Sequence, residues 1–501
     1  MKMVENLLHQ ESPSIPVNSR DALCLAKTWL DNCYQLHPVC NASPQYTPTR
    51  LLYLDGENVR LFLSSPLKST VRYATLSHCW GSLKVVQLTR RNMRYLINGL
   101  PVGALCKTFQ DAVYITRTLG LRYLWIDSLC IVQDDPDDWK QESKLMSSIY
   151  SCSSINIAAT SASDGNGGCF FNRDPGRVWR YRISTSVHGL QKYYECIEDG
   201  GWDACFLETP LARRAWVLQE RLLAPRTLHF SQTQLFWECN FVTACEVFPD
   251  KFPIALTYGD FHLAKQPVSR SLWPRIVNIY SRCDLSFSRD KLVAISGIAQ
   301  TIQMQNAEDK YLAGLWRQDM EAQLCWKVRT QRPSISSNRA PSWSWASVDG
   351  TVDYAVPSKD DRLIEVLDVD LGPRDPFGEI PEGRLKLVCS LLFSGTFDIT
   401  HGYVRLGMSQ YHVWTCLDNL GISPRTVFIL PILGRIGPDS KCWRGLLLQA
   451  TKHTAEYQRI GYFEFDANDK YFLIHNNETQ DHQSLSLSGD VGNRGQVITI
   501  V

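Results

Sequence analysis

The run YATLSHCWG, residues 73–81, closes an alternating apolar stretch with serine, histidine, cysteine, tryptophan and glycine. Further on, LRYLWIDSLCIVQDD repeats the arrangement, with an apolar run ending in acid, thiol and amide groups instead of a plain turn. Nucleophilic catalysis needs a nucleophile, a base beside it and a third group to orient the base. His78, Cys79, Asp127 and Cys130 supply those residue types at two strand ends. His78 is the stronger of them, because an imidazole exchanges a proton near neutral pH. Against a Cys–His pair, alternation sends Cys79 and His78 to opposite faces, and LWIDSLCIV is apolar enough for Cys130 to be a small core residue.

Carboxylates offer a second chemistry. Glu142 lies four and seven residues before Met146 and Ile149 and shares their helix face, and Glu220 sits among leucines in WVLQERLL. An inward carboxylate must be paired, neutralised or functional. For Glu220 the structural reading is a buried Arg–Glu pair with Arg213, Arg214 or Arg221. The functional reading is a carboxylate that stabilises positive charge as a glycosidic or N-glycosidic bond breaks. The candidate site residues are therefore His78, Asp127, Glu142 and Glu220. Cys33, His37 and Cys40 form a C-x3-H-x2-C cluster suited to zinc, but structural zinc takes four ligands and only three are near. Packing and capping of a helix end explain the trio equally well, so no metal is assigned and no cofactor is expected.

The elements that would position these residues follow from periodicity. SRDALCLAKTWLDNCYQLHPVC puts Leu23, Ala26, Trp29, Leu30 and Cys33 on one helical face, with Ser19 as cap and an end before Pro38. RLLYLDGENVRLFLSS reads as a hairpin turning at DGEN. Next come a strand (VRYATLS), a helix stopped by Gly120 (LCKTFQDAVYITRTLG), a strand (RYLWID), a helix with Trp139, Leu145, Met146, Ile149 and Tyr150 inward (DDWKQESKLMSSIYSC), and a strand (SINIAAT). Strand–helix–strand–helix–strand with short apolar strands predicts a parallel sheet covered by helices. Ligands of such sheets sit beyond the carboxyl ends of the strands, where Ser77, His78, Cys79, Asp127, Cys130, Ser161, Ser163 and Asp164 gather. SASDGNGGCFFNRDPG is a loop without a phosphate-binding glycine fingerprint. LARRAWVLQERLLAPRTLHFSQTQLFWEC gives a short helix stopped by Pro225, then two strands. Two further helical segments follow, QRPSISSNRAPSWSW reads as a linker, and from about residue 360 the alternation predicts antiparallel strands, KYFLIHN among them. The expected divisions are 1–69, an N-terminal helix and hairpin; 70–240, the α/β domain; 241–330, a helical region; and 331–501, a β-rich region.

Size and composition bound these readings. A chain of 501 residues accommodates two or three domains. Its 52 basic and 51 acidic side chains give no electrostatic reason for nucleic acid or an anionic membrane as partner. No stretch is long and apolar enough to span a bilayer, and MKMVENLLHQESPSIPVNSR does not read as a signal peptide. The expectation is a cytoplasmic protein with reduced, mostly buried thiols among its 17 cysteines. The tryptophans, including Trp80, Trp125, Trp216, Trp237, Trp343 and Trp345, read as packing anchors. The expected partner is a small-molecule ligand or another protein.

YATLSHCWG, LRYLWIDSLCIVQDDPDDWKQESKLMSSIYSCSSINIAAT and RRAWVLQERLLAPRTLHF resemble, in order, the three sequence blocks of the fungal heterokaryon-incompatibility (HET) domain family. The resemblance covers about residues 70–222. It extends into a tail through DKLVAISGIA, YLAGLW, APSWSWASVDG and RGLLLQ. It implies a HET-type α/β domain remotely similar to Toll/interleukin-receptor (TIR) domains, and a part in cell death when genetically different hyphae fuse. A TIR-like domain serves as an adaptor or hydrolyses NAD through a glutamate, so NAD enters only as a substrate. Glu142 and Glu220 both fall in the matching blocks. No P-loop ATPase, WD or ankyrin-like repeat, or prion-like tail accompanies them. The leading expectation is a HET-type incompatibility or cell-death protein; beside it stand two alternatives, a cofactor-independent enzyme of fungal secondary metabolism (a pericyclase, cyclase or isomerase) and a non-catalytic interaction protein.

Overall fold

The computed structural model describes residues 2–5, 20–42, 46–64, 70–173, 181–187, 190–197, 209–253, 265–331, 339–354, 361–398, 403–405, 414–419, 426–434, 442–466 and 495–501. Two compact units divide at Val268 and Ser269. Among the described residues no helix is long and apolar enough to cross a membrane.

In the first unit, helix α1 (Leu23–Leu36) buries Leu23, Ala26, Trp29, Leu30 and Cys33, the face its periodicity selects. Ser19, its expected cap, lies outside the described residues. The hairpin pairs β1 (Arg50–Asp55) with β2 (Asn58–Leu63) around Gly56 and Glu57. After β3 (Tyr73–Ser77) come the short strand β4 (Leu100–Pro101), helix α2 (Lys107–Thr118) and strand β5 (Tyr123–Trp125). A helical turn, α3 (Asp127–Cys130), follows β5 at once. Helix α4 (Pro136–Ser151) starts where the Asp135 carboxylate accepts hydrogen bonds from the Asp137 and Asp138 amides, with Pro136 in its first turn. Strand β6 (Ile155–Ala158), helix α5 (Ala215–Leu223) and strands β7 (Arg226–Phe230), β8 (Leu235–Cys239) and β9 (Thr243–Cys245) complete the layer.

These strands make a nine-stranded mixed sheet in the order β9-β8-β7-β6-β3-β5-β1-β2-β4. Its centre, β7-β6-β3-β5, is parallel, as the short apolar strands require. Antiparallel hairpins flank it on both sides. From β3 the chain moves outward to β5, then crosses back over β3 to β6 and on to β7. Right-handed crossovers therefore put α2 on one face and α4 with α5 on the other. In agreement, α4 packs on α5, and α1 on α2. The strand order reverses between β3 and β6, the switch point at which doubly wound sheets bind ligands. Trp139 departs from the expected inward face: it is 37% exposed, and its ring meets Trp216 edge-on at the outer margin of the α4–α5 contact.

In the second unit the described residues of the C-terminal region form the antiparallel sheet the alternation predicts, ten-stranded among those residues, with a parallel pair between Glu456–Asp466 and Gln496–Ile500. Strands Trp326–Gln331 and Gly350–Tyr354 pair across the Pro- and Ser-rich segment, and Trp343 and Trp345 of that segment are fully buried. At the hairpin turn of YLAGLW, the indoles of Trp273 and Trp345 both donate to the Gly314 carbonyl, at 3.0 and 2.8 Å. The KYFLIHN segment lies outside the described residues.

Candidate functional site

Along β3 the side chains alternate between the two helical layers. Tyr73 reaches α4, where its hydroxyl donates to the Ile149 carbonyl at 2.7 Å. Thr75 and Ser77 point the same way and meet Asn156 of β6. Thr75 Oγ1 lies 3.0 Å from Asn156 Oδ1, and Asn156 Nδ2 donates to Ser77 Oγ at 3.0 Å. The Ser77 hydroxyl in turn donates to Glu220 of α5. Tyr150 of α4 neighbours the same carboxyl group, while its hydroxyl donates to the Leu76 carbonyl at 3.4 Å. A buried polar chain thus runs from Thr75 through Asn156 and Ser77 to Glu220, at the end of β3 that borders the switch point.

The next residue turns to the other face. His78 is buried, with Phe109 of α2 edge-on at 5.0 Å and Trp80 nearly parallel at 6.4 Å. Its Nδ1 is 3.7 Å from Asp127 Oδ1, and Trp80 Nε1 donates to Asp127 Oδ2 at 2.8 Å. Asp127, the first residue of α3, also accepts from the Ser128 amide at 2.7 Å. Arg214, just before α5, donates to the His78 carbonyl. Cys79 returns to the first face and packs against Ala158, Leu211 and Val217. The opposite orientations of His78 and Cys79 are those alternation predicts.

Electrostatics separate the roles of these groups. Burial pushes the Glu220 carboxyl up to about 7, with Asp127 adding to the rise and the Ser77 hydroxyl and Arg214 opposing it. A carboxyl titrating near neutrality can give or take a proton at working pH. Burial lowers the His78 pKa while the nearby Asp127 charge pulls it back up. The thiols are poor nucleophiles: burial lifts Cys79 to about 11 and Cys130 to about 12. Among the described residues, His78 Nε2, Trp125 Nε1 and Ser128 Oγ are buried polar atoms without a protein partner. All three belong to the ends of β3 and β5 or to the turn beyond.

The structure thus brings His78, Asp127 and Glu220 to one edge of the sheet. Glu142 goes elsewhere. It faces Arg50 of β1, with Arg50 Nη2 3.3 Å from Glu142 Oε1 and 2.7 Å from Asp138 Oδ2. The buried Arg–Glu pair expected of Glu220 is therefore made by Glu142. Arg221 does not serve Glu220 either, because its guanidinium makes two 2.7 Å bonds to Glu238. Sequence reasoning took Tyr150 only as a core residue and passed over Asn156. The one available signal for the latter was an amide inside the otherwise apolar strand INIA. The metal-type cluster of Cys33, His37 and Cys40 lies apart from this edge, at the end of α1.

Gly81 ties two strand ends together. Its φ is +62°, and a Cβ there would stand 2.4 Å from the Asp164 Cβ in the loop after β6. Only glycine allows that approach. No curated protein and no solved structure matches this chain. Residues 73–220, which begin with β3 and end at Glu220, match the family model described as heterokaryon incompatibility protein (HET).

Proposed function

We propose that residues 73–220 house a hydrolytic centre that cleaves the N-glycosidic bond of a nicotinamide dinucleotide, and that this activity underlies a HET-type incompatibility or cell-death role. The observation that carries the reading is the Ser77–Glu220 contact at the switch point, a desolvated carboxyl group held near neutral pKa. In its ionised form, Glu220 stabilises the positive charge that develops on the ribose as nicotinamide departs with the bonding electrons. Water then adds to that carbon, and its proton passes to Glu220 or to His78. The Asp127 carboxylate, 3.7 Å from His78 Nδ1, partly offsets the burial that lowers the His78 pKa. Doubly wound sheets bind nucleotides at this edge, which supports the choice of substrate class.

The purified chain is expected to release nicotinamide from NAD, followed by chromatography. Glu220→Gln should lower the rate by about 100-fold or more, the usual cost of removing a charge-stabilising or proton-transferring group. Glu142→Gln should keep it. Wild-type protein that leaves NAD intact, or a Glu220→Gln variant as fast as wild type, overturns the proposal. A second reading draws on the same observation. A carboxyl kept protonated by burial is also what a cofactor-free isomerase or cyclase uses to donate a hydrogen bond. In that case NAD stays intact, and Glu220→Gln abolishes rearrangement of an apolar substrate.

A further inference from the structure

At the end of α1 the chain turns through a short 3-10 segment, Pro38–Asn41, in which the Cys40 amide donates to the His37 carbonyl at 3.0 Å. This turn brings Cys33, His37 and Cys40 together. Cys239, the last residue of β8, arrives beside them from 202 residues beyond His37, with its sulfur 3.4 Å from His37 Nδ1. The four ligand atoms lie within 4.8 Å of one another, and all three cysteines are buried. Zinc–sulfur bonds of about 2.3 Å in a tetrahedron put neighbouring sulfurs about 3.8 Å apart, so the four groups need to close by no more than about 1 Å.

Hydrogen-bond donors already face two of the sulfurs. Arg226 Nε donates to Cys33 Sγ at 3.1 Å, and the Val242 amide donates to Cys239 Sγ at 3.3 Å. Arg226 is held in turn by Asn41 and lies over the Tyr34 ring at 4.1 Å. Three thiolates, a neutral imidazole and a divalent ion carry one negative charge, which the Arg226 guanidinium offsets. Phe241 packs on the His37 ring at 4.4 Å and limits its rotation.

We propose that Cys33, His37, Cys40 and Cys239 form a structural zinc site that clamps the end of α1 to the β8 edge of the sheet. All four ligands come from the chain, so no coordination position is left open for substrate, and the role is mechanical. The clamp works beside two other contacts of α1: the Trp29 ring 6.2 Å from that of Trp237 in β8, and Trp29 Nε1 donating to the Pro249 carbonyl, beyond β9, at 2.7 Å. This site is independent of the chemistry at Glu220.

The test uses the full chain purified under reducing conditions without chelator. Elemental analysis should find about one zinc per chain, as a four-ligand site of this type holds a single ion. After exchange with cobalt, the protein should show the intense visible bands of a tetrahedral site and near-ultraviolet thiolate-to-cobalt charge transfer. Cys239→Ser should lose most of the metal, whereas Cys24→Ser, an exposed cysteine on the same helix, should keep it. His37→Cys should retain metal with stronger charge transfer, a readout that survives even if Cys239→Ser fails to fold. Protein free of metal that gives no tetrahedral cobalt spectrum overturns the proposal. So does a disulfide among Cys33, Cys40 and Cys239 in the reduced preparation, or full metal content in Cys239→Ser.

Discussion

Ser77, the last residue of β3, donates its hydroxyl hydrogen to Glu220 of α5, 143 residues away in sequence. The contact joins the two ends of the HET match, and the carboxyl group is 6% exposed, with no arginine in direct contact among the described residues. Its consequence for stability has a definite sign. Burial raises the Glu220 pKa from 4.5 to about 7, so the folded protein holds a proton there that the unfolded chain has released. The protonated carboxyl favours folding below about pH 4.5, and that advantage is lost as pH rises to about 7. Glutamine carries no such penalty. Glu220→Gln should match wild type near pH 4.5 and exceed it by up to about 3 kcal/mol above pH 7. Thermal unfolding across this range measures the difference. A variant destabilised equally at every pH would mean that Glu220 serves only to anchor Ser77. A gain in stability together with lost activity is the trade expected of a functional carboxylate.

The other glutamate has a guanidinium beside it. Arg50 donates to the Cys130 carbonyl at 2.6 Å and to both oxygens of Asp138 at 2.7 Å, and it faces Glu142 as well. Arg50→Met removes the cation that two carboxylates share, and should cost about 3–5 kcal/mol in denaturant-induced unfolding. Glu142→Gln leaves the Arg50–Asp138 pair in place and should cost about 1–2 kcal/mol, with no loss of any activity found at Glu220. If the Glu142→Gln variant were stable but inactive, the assignment of the two glutamates would be reversed.

Periodicity made the parallel block legible before any coordinates, because each helix and strand in it is specified by side chains a few residues apart. The buried faces of α1 and α2 and the β1–β2 turn all follow from such local patterns. Long-range partners do not. Glu220 and Arg221 are neighbours in sequence, yet the helical turn aims Arg221 at Glu238 and Glu220 at Ser77. Nothing within WEC marks Cys239 as companion to a cluster 202 residues earlier, since strand pairing alone brings it there. Asp127 reads as a strand terminator in sequence. Its type and place at a strand end make it a candidate there, but its partners, Trp80 and His78, emerge only where the turn of α3 brings it to them.

Gly81 allows the cost of that convergence to be measured. Gly81 and Gly120 both have positive φ, +62° and +79°, so alanine strains the backbone at either position. Around Gly120 an added Cβ meets nothing within 4 Å, whereas at Gly81 it collides with the Cβ of Asp164 at 2.4 Å. Gly120→Ala should therefore cost about 1 kcal/mol, the backbone penalty alone. Gly81→Ala must also push the loop after β6 away from the end of β3, and should cost about 2–4 kcal/mol. Denaturant unfolding of the two variants gives the comparison directly. Because Asp164 follows β6 and Gly81 follows β3, the displacement opens the sheet at the switch point itself. A Gly81→Ala variant still folded at low temperature should then lose activity at Glu220 out of proportion to its stability, while Gly120→Ala, at the far end of α2, should retain it. Equal costs for the two would show that the close approach of Gly81 to Asp164 does not hold these strand ends together.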